Sequence, residues 1–511
     1  MASWIISFLS LFTISACLFL LNLLYGTNKT KKKKERPLPP CPRGLPIIGN
    51  LHQLGLTFVL LEPTFHKFIA RYGPIFCVRF GPMLAVFVAD RSLAHEALVQ
   101  DGATFAGRPR FPEFARILNS NQHTISSAGY GPLWRLLRRN LIAETLSPAR
   151  TKFFTRGRQW ALALLISELR EEAKENEGMV VVGTCLRRAI HRLLLFMCFG
   201  EMLEDHAVRK VAEVLKETLV ATERFNILGF FPKLTKIFCR RKWREFLDVR
   251  RENEEALLPH ILARRAVEKK DDRFCYVDSL ITLELPDGRK LDDGEIVSLC
   301  FEFLGAGIDT TATALEWTMA NLVKNPKIQT LLYEEIACTV SSNAQASEEY
   351  LARMPYLKAV IMESLRRHPP GHFLLPHAVA EDDASLHGYA IPKNATINFM
   401  VGEMGLDERV WKDPLEFRPE RFLAGGEGED VDITGNREIK MMPFGAGRRV
   451  CPGMGVAMLH LQYLVANLVR ELEWSAADGE LVDLAEKWEF TVVMKNPLKA
   501  RIKPRNGIAA K

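Results

Sequence analysis

The residues best placed to do chemistry lie within residues 443–453, which read PFGAGRRVCPG. One cysteine, Cys451, stands among three glycines and two arginines, just ahead of apolar residues with near-helical spacing. A thiolate at a helix N-terminus is stabilised by the helix dipole and its N–H groups. Glycines let the backbone approach a flat, bulky group, and arginine pairs with an anionic group on it. The alternatives are a buried structural cysteine and a nucleophile, although no nearby histidine is placed to act as the base that a nucleophile needs.

A second unusual segment is the centre of a helix predicted over residues 293–324, where the sequence reads GAGIDTT. Gly305 and Gly307 each cost about 1 kcal/mol relative to alanine inside a helix. Thr310 can donate a hydrogen bond to the carbonyl of Ala306, four residues back, and open the helix there. The alternative is a glycine- and threonine-rich helix that simply packs against its neighbours.

The spacing around the cysteine resembles the haem-binding signature of the cytochrome P450 family. The family pattern Phe-x-x-Gly-x-Arg-x-Cys-x-Gly is met by Phe444, Gly447, Arg449, Cys451 and Gly453. Further segments resemble the family's Trp-x-x-x-Arg helix, oxygen-activating helix, Glu-x-x-Arg helix and Pro-Glu-Arg-Phe segment, at residues 134–138, 306–311, 363–366 and 417–422. The cysteine segment is similar to that of the large plant microsomal group.

The resemblance implies a haem b cofactor and assigns residues to it. Cys451 would be the axial thiolate ligand of the iron, and Phe444 would pack beside the same face of the haem. A thiolate ligand pushes electron density onto iron and favours O–O cleavage. The remaining implied haem contacts are Ala306 and Gly453 and, at the propionates, Trp134, Arg138, His377 and Arg449. For Arg138 the alternative is a solvated helix face, and for His377 a satisfied loop histidine.

Two further groups of residues receive roles through the resemblance. Asp309 and Thr310 resemble the acid–alcohol pair that relays protons to bound dioxygen. Glu363 and Arg366 face one side of a helix, where an exposed pair contributes only about 0.2–0.5 kcal/mol. The resemblance instead joins them to Arg421 in a buried structural triad.

Substrate contacts are implied by family position alone. They are mostly aromatic and suggest an apolar pocket with a hydrophobic substrate: Phe111, Phe114, Phe230, Phe303, Phe373, Leu374 and Val492. Core or membrane-facing side chains are the alternative for each of them. Residues 225–231 have a second interpretation as a segment that dips into the bilayer.

The net charge of +7 is unevenly distributed along the 511 residues. Residues 1–28 carry no charged side chain, whereas residues 29–36 carry six basic side chains and one acidic one. The apolar run at residues 4–25 is about 33 Å long as a helix, enough to cross a hydrocarbon core of about 30 Å. A cleaved signal peptide is the alternative, but it needs a positive segment before the apolar run. The lysines after the span predict a cytoplasmic body.

The sequence therefore predicts an anchor (residues 1–28), a basic, proline-rich hinge (29–50) and a catalytic domain (51–511). The fold is expected to be mainly α with small β-sheets, a cytochrome P450 fold behind a single N-terminal transmembrane helix. A β-hairpin is predicted at residues 74–89. Long helices are predicted at residues 134–146, 155–176, 205–222, 241–267, 293–324, 328–340, 352–367 and 454–473. Disulfides are not expected in a reducing cytoplasm, and the residual charge of the body does not support nucleic-acid binding.

The predicted function is a membrane-bound haem-thiolate monooxygenase of the endoplasmic reticulum. Electrons would come from NADPH through a flavoprotein reductase, with cytochrome b5 as a further partner and Arg448 on the docking face. One alternative is an isomerase or dehydratase that needs no reductase. The other is a haem-binding sensor or electron carrier without catalysis.

Overall fold

The computed structural model describes residues 36–505 with gaps at 47, 55–60, 82, 226, 231, 268–273, 342–343, 380, 382, 394, 478 and 480, together with Thr13 and Ser15. Apart from those two residues, the predicted anchor and the lysine run lie outside the described residues. Within the described part of the chain, one helix, Asp293–Lys324, is long and apolar enough to span a membrane. Buried residues make up 61% of its most apolar window, so it is a core helix of the protein.

The described chain is mainly helical. In chain order its α-helices are α1 Leu51–Leu54, α2 Leu61–Tyr72, α3 Arg91–His95, α4 Glu113–Leu118, α5 Pro132–Leu141, α6 Pro148–Thr151, α7 Thr155–Glu175, α8 Val182–Phe199, α9 Asp205–Arg224, α10 Ile227–Phe230, α11 Pro232–Phe238, α12 Arg240–Arg265, α13 Tyr276–Thr282, α14 Asp293–Lys324, α15 Pro326–Thr339, α16 Glu348–Leu351, α17 Pro355–Arg367, α18 Val401–Gly405 and α19 Met454–Glu471. Single turns of π-helix follow α3 and α5, at Glu96–Gln100 and Ile142–Leu146.

In the described residues the strands are short and form four small sheets. They are β1 Ile75–Phe80, β2 Met83–Val88, β3 Met179–Val181, β4 His377–Ala378, β5 Ser385–Leu386, β6 Tyr389–Ala390, β7 Thr396–Phe399, β8 Leu472–Ser475, β9 Glu486–Trp488, β10 Val492–Met494 and β11 Lys499–Pro504. The largest sheet has the order β1-β2-β7-β4, with β2 and β7 parallel and the other pairs antiparallel. The others are β3-β11-β8, β9-β10 and β5-β6.

Helix α14 forms the centre of the main core. Its N-terminus is a capping box, in which the Glu295 N–H donates to Asp292 Oδ1 at 2.7 Å and the Asp292 N–H donates to Glu295 Oε2 at 3.0 Å. Beyond that turn the helix is apolar around most of its surface, as expected of a helix covered on all sides. It packs against α8, α12, α17 and α19. A second core lies beneath the β1-β2-β7-β4 sheet.

The sequence-based elements agree closely with the structure. The hairpin and the helix at 293–324 are confirmed, and the other long helices differ by a few residues at their ends. The exceptions are the helix predicted at 134–146, whose last turn is π-helical, and the helices α2 and α8, which were not predicted. Helix α8 is largely buried between α7 and α14. Its polar stripe of Arg187, Arg188, His191 and Arg192 is short and lies within an otherwise apolar helix.

The expectation that the protein has no disulfide is wrong in this structure. Cys41 in the proline-rich hinge is joined to Cys77 in β1, with the two Cα atoms 4.7 Å apart. The backbone brings them together, because the Cys77 N–H donates to the Pro40 carbonyl at 2.8 Å. The hinge residues that follow the basic run are therefore attached to the sheet.

Candidate functional site

A cavity of about 400 Å³ lies between α14, the start of α19 and the segment before it, residues 443–453. Most of its lining is apolar. All eight predicted haem residues line it: Trp134, Arg138, Ala306, His377, Phe444, Arg449, Cys451 and Gly453. The structure thus brings residues from α5, α14, β4 and the cysteine segment to one cavity.

The cysteine segment is a tight loop that fixes the position of the thiol. The Cys451 N–H donates to the Phe444 carbonyl at 2.8 Å, and α19 begins three residues later at Met454. Gly447 has φ +66°, and a Cβ there would collide with the Leu98 carbonyl oxygen, so this position requires glycine. Burial raises the pKa of the Cys451 thiol, although the Gly453 N–H and the charge of Arg138 act in the opposite direction.

Arginines gather at one rim of the cavity. Arg449 donates to the carbonyls of Ala106, Ile125 and Ala128 at 2.8, 3.2 and 2.7 Å. Burial, followed by repulsion from Arg108 and Arg138, lowers the pKa of Arg449 to about 9.

Arg138 lies at the same rim and is not on a solvated helix face. Its Nη2 donates to the Val450 carbonyl at 2.6 Å, next to the cysteine. Its guanidinium also lies 5.5 Å from the ring centre of Trp134. The indole N–H of Trp134 is buried and has no hydrogen-bond partner in the part of the chain that the structure describes.

His377 closes the rim from β4. It is buried, and its Nδ1 donates to the Phe105 carbonyl at 2.8 Å. Burial, together with the charges of Arg108 and Arg449, lowers its pKa to about 3, so the imidazole is neutral at physiological pH.

Arg108 and Glu302 are two cavity residues that the sequence analysis missed. Arg108 donates to the carbonyls of Ser126, Leu375 and Pro376 at 2.7–2.9 Å, and burial lowers its pKa to about 10. Glu302 accepts the N–H groups of Ile125 and Ser126 at 2.8 and 2.6 Å, and burial raises its pKa. The place of Glu302 was predictable from the sequence, because it lies four residues before Ala306 and hence on the same face of the helix.

The centre of α14 has the predicted local bond. Thr310 Oγ1 donates to the Ala306 carbonyl at 2.7 Å, and both residues line the cavity together with Gly307. Asp309 is not among the lining residues. Its carboxylate instead pairs with Arg187 of α8.

The predicted substrate residues divide into two groups. Phe303, Phe373 and Leu374 line the cavity, whereas Phe111, Phe114 and Val492 do not. Phe114 packs edge-on against Phe246 in a separate buried cluster.

The remaining substrate predictions concern residues near Phe225 and in the last hairpin. Phe225 is fully buried in the same cluster as Phe114, which contradicts its placement in a bilayer. The side chain of Phe230 lies outside what the structure describes. Val492 does not line the cavity, but two residues that precede it in the hairpin, Phe490 and Thr491, do.

The Glu363 carboxylate joins two arginines behind the cavity. Arg366 donates from Nε and Nη2 to its two oxygens at 2.7 and 2.9 Å, and Arg421 Nε donates at 3.2 Å. All three side chains are fully buried. Further bonds from both arginines to backbone carbonyls tie α17 to residues 405–416.

The geometry fits a haem. Within the described residues no group of three His, Cys, Asp or Glu side chains could hold a bare metal ion, so Cys451 alone would need a macrocycle to complete a metal site. The rim collects Arg108, Arg138 and Arg449 with one nearby carboxylate, Glu302, and a buried cluster of like charge is relieved by an anion. Two haem propionates would neutralise this arginine cluster, and one of them would accept the buried indole N–H of Trp134.

Comparison with known proteins agrees with this geometry. The family model described as Cytochrome P450 matches residues 39–504. Cytochrome P450 89A9 of Arabidopsis thaliana is 46% identical, covering 98% of this chain and 99% of its own. Flavonoid 3'-monooxygenase of the same plant is 31% identical, covering 96% of each chain. Geranylhydroquinone 3''-hydroxylase CYP76B74 of Arnebia euchroma is 30% identical, covering 92% of this chain and 95% of its own.

Solved structures show the same fold. A zebrafish cytochrome P450 structure with abiraterone has a TM-score of 0.71 at 24% identity, covering 86% of this chain and 99% of the other. A zebrafish structure with progesterone has a TM-score of 0.72 at 23% identity, covering 86% and 98%. The mainly helical architecture with small sheets is thus the cytochrome P450 fold. On its sequence, its fold and its cysteine loop, this chain belongs to the cytochrome P450 monooxygenase family.

Proposed function

We propose that the protein is a membrane-bound haem-thiolate monooxygenase that inserts one oxygen atom from dioxygen into a hydrophobic organic substrate. Two electrons come from NADPH through a flavoprotein reductase. The observation that carries the proposal is that Cys451, from the loop before α19, and Thr310, from α14, line one largely apolar cavity. The haem, when bound, supplies the cleavage of dioxygen and the transfer of its oxygen atom.

In this proposal the protein residues bind the haem, orient the groups around it and supply protons for the oxygen chemistry. Cys451 would hold the iron, while Trp134, Arg138 and Arg449 would donate to the propionates. Because the Nδ1 proton of His377 is donated to the Phe105 carbonyl, His377 would bind a propionate only when its Nε2 is also protonated. The bond between Thr310 and the Ala306 carbonyl fixes the hydroxyl beside the cavity, where it holds a proton for the oxygen chemistry. Asp309, paired with Arg187, is the carboxylate behind it.

The apolar cavity supports a hydrophobic substrate of plant secondary, lipid or hormone metabolism. The names of two relatives specify a flavonoid and geranylhydroquinone, and both are organic compounds with large unsaturated or apolar parts. Phe303, Phe373 and Leu374 supply apolar contacts in the cavity.

We propose a single-pass location in the endoplasmic reticulum membrane with the catalytic domain on the cytoplasmic side. The charge-free run at residues 4–25 and the basic residues after it support this topology. NADPH–cytochrome reductase, with cytochrome b5 as a second donor, would dock near Arg448.

The test is turnover by the full chain in membranes with purified reductase. Lipophilic metabolites that shift the haem spectrum are first selected as substrates. Product should form only when NADPH, reductase and dioxygen are all present. Turnover without NADPH and reductase would instead identify an isomerase or dehydratase, and tight binding with no product under any condition would identify a sensor or carrier.

A further inference from the structure

The hairpin formed by β9 and β10 supplies one wall of the cavity. Phe490 and Thr491 at its tip line the cavity, and each strand has only three residues. Among the described residues, the two strands pair only with each other. Because an isolated two-stranded hairpin is marginally stable, contacts outside the hairpin must fix its position.

The β10 side is held by α14 and by the loop after α17. The Val492 N–H donates to the Pro370 carbonyl and its own carbonyl accepts the Trp317 indole N–H, both at 2.8 Å. The hydroxyls of Thr491 and Thr313 lie 3.0 Å apart. None of these contacts involves a residue of β9, so other contacts must hold that strand.

Glu486, the first residue of β9, meets a cluster of cationic and imidazole groups. Its Oε1 accepts from His368 Nδ1 at 3.0 Å and lies 3.9 Å from Arg367 Nη1, and its Oε2 lies 3.6 Å from His372 Nε2. His368 is itself fixed, since it is 1% exposed and stacks on Trp317 at 4.0 Å. The carboxylate therefore links the hairpin to the end of α17.

Two residues further along β9, Trp488 lies on the same face of the strand as Glu486. Its ring packs edge-on against His372 and Phe373, with ring centres 5.2 and 5.7 Å apart. Phe373 in turn lines the cavity. The same strand thus contacts the loop that carries a second part of the cavity wall.

Space is available for this wall to shift. A second cavity of about 230 Å³ lies behind Phe373 and is lined by Arg367, His372, Glu486 and Trp488, among others. Loss of the Glu486 contacts would let the hairpin move into it, whereas Phe373 is also held by edge-on packing on Phe65 and Phe87. A tightly packed surround would instead have held the hairpin in place.

We propose that Glu486 is a positioning residue that sets the shape of the substrate cavity by clamping the β9–β10 hairpin and the Phe373 loop onto the end of α17. It does not touch the substrate. Its effect should therefore grow with the size of a cavity ligand and vanish for a ligand confined to the iron.

The experiment compares imidazole with 4-phenylimidazole, two ligands that coordinate haem iron and differ in how far they reach into the cavity. The full-length, haem-loaded variants are Glu486→Ala and the conservative Glu486→Gln. The matched control is Glu489→Ala, from the same hairpin, whose carboxylate is half exposed and pairs with Lys487. Dissociation constants are read from the spectral shift, and amide hydrogen exchange is followed over residues 486–494.

For Glu486→Ala we expect the Kd of 4-phenylimidazole to rise about tenfold, that of imidazole to change less than about twofold, and hairpin amides to exchange faster. Glu486→Gln should recover part of the loss because its side-chain oxygen can still accept from His368. Equal weakening of both ligands, or unchanged 4-phenylimidazole binding and exchange, would overturn the proposal. The inference rests on the proposed haem site. If no imidazole spectrum forms, that site has failed, and the exchange data alone then decide the role of Glu486.

Discussion

At the residue scale, the hydroxyl of Thr310 is oriented by its own helix. It donates its proton to the Ala306 carbonyl at 2.7 Å, which leaves the lone pairs of the oxygen directed away from that bond. The spacing of four residues within a helix made this contact predictable from the sequence. The partner of the adjacent Asp309 was not predictable, because Arg187 lies 122 positions away in α8.

Replacement of Thr310 by alanine should uncouple electron transfer from product formation. NADPH would still be consumed, but without the hydroxyl to hold a proton the yield of product per NADPH should fall by about tenfold or more. Product and hydrogen peroxide are measured together, and peroxide should rise as product falls. Thr310→Ser keeps the hydroxyl and should retain most of the coupling. Normal coupling in Thr310→Ala would remove Thr310 from the proton path.

At the element scale, the triad of Glu363, Arg366 and Arg421 holds α17 to the segment that precedes the cysteine loop. Its members are fully buried. Removing one partner of a buried ion pair leaves an unpaired charge and costs about 3–5 kcal/mol. None of the three lines the cavity, so we propose that their role is structural.

Glu363→Ala should therefore lower both haem content and the urea midpoint of unfolding. The control is Glu245→Ala, which removes an exposed i,i+4 ion pair with Arg241 on α12. Such a pair contributes about 0.3–0.5 kcal/mol to stability. Haem content is read from the absorbance ratio of haem to protein. Wild-type haem content and stability in Glu363→Ala would contradict the structural role.

The link between Cys41 and Cys77 provides a second prediction at this scale. It closes a loop with a sequence separation of 36, for which loop entropy predicts about 3–4 kcal/mol of stabilisation. Cys41→Ser should lower the urea midpoint of the non-reduced protein. Mass spectrometry of unreduced, alkylated peptides should show the two cysteines joined, with exposed Cys338 alkylated as the control. Full alkylation of Cys41 and Cys77 without reductant would rule the link out.

The elements themselves were largely predictable, and the exceptions have physical reasons. The amphipathic helix α9 was predictable from the period of its apolar residues, and the long central helix α14 from its apolar composition. Helix α8 was harder to recognise, because its polar stripe of Arg187, Arg188, His191 and Arg192 is short and the rest of the helix is apolar. The Cys41–Cys77 pair depends on how the hinge folds back along β1, which local pattern does not encode.

At the scale of the whole molecule, most of the net positive charge lies in residues 29–36, beside a charge-free run. The folded domain carries its own local basic groups near the cysteine loop, including Arg448 and Lys440. Arg448 contacts the Tyr130 hydroxyl, and Lys440 is paired with Glu438 at 3.6 Å. The family assignment and the predicted haem residues of the cavity followed from family motifs and positions. The places of Arg108 and Glu486, and the absence of Phe111, Phe114 and Val492 from the cavity lining, required the folded chain.

Charge reversal at Arg448 and Lys440 should weaken docking of an acidic reductase. The reductase concentration needed for half-maximal turnover should rise about tenfold at low ionic strength. The difference from wild type should shrink as salt is added, because exposed charges are screened. Lys327→Glu, an exposed change on α15, is the control. Unchanged reductase dependence in the double variant would exclude this face as the docking surface.

The most direct test of the central claim is the absorption spectrum of the reduced, carbon monoxide-bound protein. We predict that the full-length chain shows the long-wavelength band of a thiolate-ligated haem and that Cys338→Ala, which removes an exposed thiol, retains it. Cys451→Ala should lose that band. A thiolate band that persists in Cys451→Ala, or that is absent from the wild-type protein, would contradict the assignment of Cys451 as the iron ligand.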